Sequence, residues 1–73
     1  GLMKLPEFVK FVNKTLKKKL NPKRNIFQQD VDSIDFTTLL LSIEEKFNMK
    51  FKSSAFNNLT TLEDIFSYIK KKK

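Results

Sequence analysis

Cysteine and histidine are both absent from this sequence of 73 residues. Without cysteine there is no disulfide framework and no thiolate metal site, and nothing points to an oxidising compartment. Without histidine the commonest general base and metal ligand is missing too. Length is also scarce. A chain this short buries only about 60% of its unfolded surface, which leaves a modest core and no cleft between domains. Self-contained catalysis is therefore not expected. No run of roughly 18 apolar residues occurs, so no membrane span is expected. The opening Gly1-Leu2-Met3-Lys4 lacks the long apolar stretch of a secretion signal. The expectation is one cytosolic, monomeric domain over residues 1–73. Residues 1–2 are read as a cloning remnant or flexible end, with Met3 the native start, and residues 70–73 as a basic tail.

What the chain has in excess is positive charge, a formal +7. Such a balance invites a nucleic-acid partner. Its distribution argues otherwise. Residues 1–24 carry eight Lys/Arg against Glu7 alone, and residues 48–73 are again basic, mainly through Lys70 to Lys73. Residues 30–47 hold five acids against Lys46. The ends are basic and the centre acidic, a pattern that also suits a merely solvated lysine-rich surface.

Alternation of β-branched residues is absent, so no sheet is expected; the apolar residues recur at three- and four-residue steps. Leu5, Phe8, Val9, Val12, Leu16 and Leu20 make one stripe between Pro6, suited to a first helical turn, and Asn21-Pro22, suited to an end. Phe11 lies off that stripe, with the following loop as its expected contact. Residues 21–32 form a loop with Ile26 and Phe27 as anchors into the core. A second helix starts at Asp32 or Ser33 and runs to about Phe47, with Asn48 as its stop. Ser53 to Phe56 reads as one helical turn. A last helix opens at Thr60, which has capping-box spacing with Glu63. The architecture expected is all-α: a small bundle of three main helices plus one short helix around phenylalanines.

The second helix has two apolar faces. At about 100° per residue, Phe36, Leu39, Leu40, Ile43 and Phe47 share one arc, the core face. Ile34 and Leu41 align with each other and point nearly opposite, so a bundle this small leaves them exposed. With Asp35, Glu44 and Glu45 as an acidic rim, they form a candidate docking strip. Scattered exposed apolar residues also occur without any function. Ser33 stands beside this strip at the mouth of the helix. It is either a helix cap, as Asp32 is too, or a displayed hydroxyl.

Three blocks in register resemble the acyl carrier protein family. Asp32-Ser33-Ile34-Asp35 is similar to the family signature Asp-Ser-Leu-Asp. Leu39 to Phe47 is similar to its Leu-rich stretch ending in Glu-Glu-x-Phe. Leu59-Thr60-Thr61-Leu62 through Tyr68-Ile69 is similar to its closing helix. The resemblance spans Asp32 to Ile69 and implies that Ser33, flanked by Asp32, is the serine to which a phosphopantetheinyl transferase attaches 4′-phosphopantetheine from coenzyme A. The thiol of that group would hold acyl or aminoacyl thioesters for acyl-transfer or synthase enzymes of fatty-acid, polyketide or related biosynthesis. Ile34, Asp35, Leu41, Glu44 and Glu45 fall at partner-contact positions. A cysteine-free chain suits this, because the reactive sulfur arrives with the prosthetic group.

The chain also departs from the family. It is basic where relatives are usually acidic. It reads Gln28-Gln29-Asp30-Val31-Asp32-Ser33 where the family has Asp-Leu-Gly-x-Asp-Ser, and Thr38 replaces a common Glu. Phe51, Phe56 and Ile65 are bulkier than their usual counterparts, so a small cavity and a short, solvent-held cargo are expected. The alternatives are an unmodified carrier-like interaction subunit and a small basic helical nucleic-acid binder.

Overall fold

The computed structural model describes residues 3–72, so the readings on Gly1, Leu2 and the last residue of the basic tail lie outside the described residues. Three α-helices carry the fold: α1 (Leu5–Leu16), α2 (Ser33–Phe47) and α3 (Leu62–Lys72). Two 3₁₀ segments, Ile26–Gln28 and Ser53–Asn58, lie in the connections, and no strand occurs among the described residues. The all-α architecture expected from the periodicity is present. The Ser53 turn is longer than expected.

Helix α1 has Pro6 in its first turn, and the Glu7 carboxylate reaches back to accept the Lys4 N–H at 3.0 Å. It stops earlier than the expected Asn21-Pro22. Lys14, Lys17 and Lys18 would stack like charges on one face of a longer helix, which disfavours continuation. Lys17 instead turns left-handed (φ 58°), and the Asn13 carboxamide oxygen accepts the Leu20 N–H at 2.9 Å. Leu20 is buried as expected, but from the loop.

The core is built around Phe8, which is fully buried with its ring 6.4 Å from Phe47 on α2 and 5.2 Å from Phe66 on α3. Leu39, Ile43, Leu62 and Ile69 complete the centre. Phe11 finds its aromatic partner on α2. It meets Phe47 edge-on at 6.5 Å, with the Lys46 ammonium 5.0 Å from its ring centroid.

Helix α3 opens one residue later than the capping-box spacing of Thr60 and Glu63 predicted. Thr61 Oγ accepts the Asp64 N–H at 3.0 Å, and Asp64 accepts the Thr61 N–H at 3.2 Å. The Thr60 carbonyl is taken instead by the Ile26 N–H at 2.7 Å, and the Glu63 N–H donates to the Pro22 carbonyl at 3.1 Å. The loop between α1 and α2 is thereby tied to the start of α3. Those two bonds pass between segments far apart in the chain, and the helical pattern alone carries no sign of them.

Candidate functional site

The site begins with the cap of α2. Asp32, in extended conformation, accepts the Asp35 N–H at 2.8 Å and so satisfies one of the orphan amides of the first turn. Ser33 is the first helical residue and is exposed. Capping therefore falls to Asp32, and the serine is displayed. Thr37 Oγ donates to the Ser33 carbonyl at 2.9 Å, which closes the first turn beneath it.

The segment before the serine is held from both sides. Asp30, three residues ahead of Ser33, occupies the left-handed region at φ 62°. This is the position where the family pattern has its glycine. Aspartate is one of the few residues that enters this region without large strain, so the turn does not require a glycine. The Lys18 ammonium lies 3.6 Å from Asp30 and 3.8 Å from Asp35. The Asp30 carboxylate is fully exposed and gains little stability from the pairing. Asp30→Gly should leave stability unchanged or raise it by less than about 1 kcal/mol, whereas Asp30→Val should cost about 1–2 kcal/mol for the left-handed backbone. Urea midpoints measure both, and equal midpoints would mean that the turn can relax.

Ile34 and Leu41 are exposed, as the wheel arrangement implied. Ile34 is 74% exposed and Leu41 59%, on the face away from the core. Glu45 is exposed beside Leu41, and an open recess lined by Leu41, Glu44, Glu45, Asn48, Met49 and Lys50 continues the strip to the end of α2. Asp35 is half-buried and shares Lys18 with Asp30, so part of its charge is offset. Glu44 lines that recess and is also engaged within the chain. Its side chain is only 16% exposed; Oε2 accepts the Phe51 N–H at 2.8 Å and Oε1 lies 3.8 Å from Lys50. The residue braces the connector after α2, where Asn48 turns left-handed (φ 52°). Glu44→Ala should cost about 1–2 kcal/mol through the stranded Phe51 amide. Glu45→Ala should stay within about 0.5 kcal/mol. Thermal melts of the two variants check this contrast, and equal losses would refute it.

The bulky residues read as filling a cavity divide. Ile65 is fully buried, and Phe51 stacks on Tyr68 at 5.2 Å. Phe56 is 42% exposed and leans on Phe51 from outside, so its bulk does not enter the core. Phe27, expected as an anchor beside the fully buried Ile26, is 49% exposed with its ring 4.9 Å from that of Phe36.

Among known proteins, the phosphopantetheine attachment site model matches residues 8–69, which carries the likeness back from α2 into α1. The acyl carrier protein of Chlamydia caviae is 39% identical over 41 residues, 56% of this chain and 53% of its own length. That of Buchnera aphidicola subsp. Baizongia pistaciae is 38% identical over 42 residues, 58% of this chain and 54% of its own. That of Chlamydia felis is 37% identical over 41 residues. In these alignments the chain spans about half the length of the curated relatives it matches. A match across all three helices, on an all-α bundle with a displayed serine heading α2, leads to one conclusion: the chain belongs to the phosphopantetheine attachment site family, that of the acyl carrier proteins.

Proposed function

We propose that Ser33 is the attachment point of 4′-phosphopantetheine and that the chain carries acyl or aminoacyl groups between separate enzymes of fatty-acid, polyketide or related synthesis. The observation that carries this reading is the division of labour at the head of α2. Asp32 caps the helix, leaving an exposed Ser33 hydroxyl. The residues suit the group. The positive end of a 15-residue helix favours the charge of a phosphodiester, and the exposed position admits a transferase. When bound, the group supplies a thiol that holds cargo as a thioester.

The chain's own residues do the rest. Ser33 takes the phosphopantetheinyl group from coenzyme A, forming one phosphodiester and releasing adenosine bisphosphate, while its proton passes to the transferase. Ile34 and Leu41 present the apolar contact to transferase and synthase, with Glu45 and the partly offset Asp35 steering basic surfaces toward it. Glu44 contributes by holding the end of α2. In this reading the chain performs no chemistry on the cargo, works in the cytosol, and raises the effective concentration of a tethered substrate. Ile65 in the core favours a short cargo held largely in solvent; comparing thioester hydrolysis for long and short chains tests that, and strong protection of the long one alone would refute it.

Intact mass after incubation with coenzyme A and a promiscuous transferase tests the attachment. One added phosphopantetheinyl group is expected, and none in Ser33→Ala, whose stability should differ by less than about 0.5 kcal/mol. No gain in the wild-type chain would favour an unmodified interaction subunit. No gain together with DNA or RNA binding that weakens steeply with salt would favour the basic-binder reading.

A further inference from the structure

Phe27 is exposed to an unusual degree for a residue so firmly held. Its N–H donates to Asn25 Oδ1 at 2.8 Å, and the Ile26 N–H before it is fixed on the Thr60 carbonyl. Two residues later, the Gln29 carboxamide knots the same loop. Its Nε2 donates to the carbonyls of Asn21, Arg24 and Asn25 at 3.0, 3.2 and 3.4 Å, and its Oε1 accepts the Asn21 N–H at 2.7 Å. A frayed loop exposes a phenylalanine by accident. This loop is pinned on both sides of the ring and still leaves it half in solvent.

The place to which the ring is pinned is specific. Phe27 lies 4.9 Å, centroid to centroid, from Phe36 at a tilt of 50°. Phe36 is three residues beyond Ser33, so their Cβ atoms are neighbours about 5–6 Å apart on the helix surface. On the wheel, at about 100° per residue, Ile34 and Leu41 flank the serine on one side and Phe36 on the other. Ser33 thus stands between two apolar surfaces, the docking strip and a shelf made of two phenyl rings.

We infer that the Phe27–Phe36 shelf seats the gem-dimethyl group of the prosthetic arm on Ser33, an inference that rests on Ser33 being the attachment point. The occupant follows from the tether. The pantoyl unit directly after the phosphate carries a quaternary carbon with two methyls, the compact branched hydrocarbon of the arm, only a few bonds from the serine oxygen. That reach matches the one-turn spacing from Ser33 to Phe36. The cargo thiol sits at the far end and would have to fold back to the same place. An arm resting on the shelf leaves Ile34 and Leu41 free, so carrier and partner do not compete for one apolar surface.

The test uses the full chain, isotope-labelled, modified with an unlabelled arm, and checked by intact mass before spectra are taken. Nuclear Overhauser contacts are expected from the arm's methyls to the ring protons of Phe27 and Phe36, with the methyls shifted upfield of their position in coenzyme A. Phe27→Ala should keep the mass gain and lose both signals. Phe27→Leu should keep methyl-to-methyl contacts while the upfield shift falls to the part due to Phe36, and Phe56→Ala should alter neither signal. A modified chain whose methyls match those of coenzyme A, or that contact Ile34 and Leu41 instead, overturns the shelf and leaves the attachment standing. Contacts from a loaded acyl chain alone do the same. Absence of any mass gain overturns the attachment, and the shelf with it.

Discussion

Phe8→Ala is expected to unfold the chain at 25 °C. The Phe8 ring is fully buried on α1 and lies against Phe47 of α2 and Phe66 of α3, so one side chain joins all three helices. Truncating a buried phenylalanine costs about 3–5 kcal/mol, transfer and cavity terms together. A single core of this size rarely supplies more than about 3–5 kcal/mol in total. No disulfide is available to offset the loss, because the sequence holds no cysteine. The far-UV circular dichroism of the variant should be that of a largely unfolded chain, with no cooperative melt. A cooperative transition close to that of the wild type would show that the neighbouring side chains collapse into the space. Phe27→Ala, made at a half-exposed ring, should cost far less, and the pair of variants separates a core phenylalanine from a displayed one.

The second large effect concerns the docking strip. Ile34→Asp combined with Leu41→Asp should leave stability within about 1 kcal/mol, since both side chains are mostly in solvent. It should nevertheless lower the transferase's kcat/KM for the chain by at least tenfold. Apolar anchors at the centre of an interface are each worth about 2 kcal/mol or more when they are hot spots. Loss of one such anchor corresponds to about 30-fold in rate at 1.4 kcal/mol per decade. A small interface has few other contacts to absorb the loss. Glu45→Lys, at the rim, should act mainly on association and its salt dependence, with a smaller change. An unchanged kcat/KM in the double variant would mark Ile34 and Leu41 as ordinary exposed apolar residues and move the recognition surface elsewhere. The basic surface of α1, which carries Lys10 and Lys14, would be the next place to substitute.

Much of this molecule is legible in its residues. The three- and four-residue steps place α2 from Ser33 to Phe47, assign Leu39, Ile43 and Phe47 to the interior, and turn Ile34 and Leu41 outward. Asn48 ends that helix where its type suggests. These features depend on neighbours within a turn or two, and helical periodicity is a local property. The misreadings have a common form. Leu20 is buried but not helical, Phe27 is apolar but half outside, and Thr61 rather than Thr60 caps α3.

In each of those cases the outcome depends on a group distant in the chain or on competition between two suitable candidates. The Thr60 hydroxyl donates to the Asp64 carboxylate rather than capping, while its carbonyl meets Ile26, more than thirty positions away, a pairing that no window of sequence displays. Ser33 and Asp32 are both good caps by residue type, and only backbone geometry assigns the bond to the Asp32 carboxylate. Composition and spacing therefore establish the bundle, its core face and the exposed strip, because burial of an amphipathic face follows from pattern alone. Which hydroxyl stands free, which carboxylate is engaged and which ring Phe27 meets are settled by three-dimensional packing, because hydrogen bonds are short and directional and join whatever the folded chain brings together.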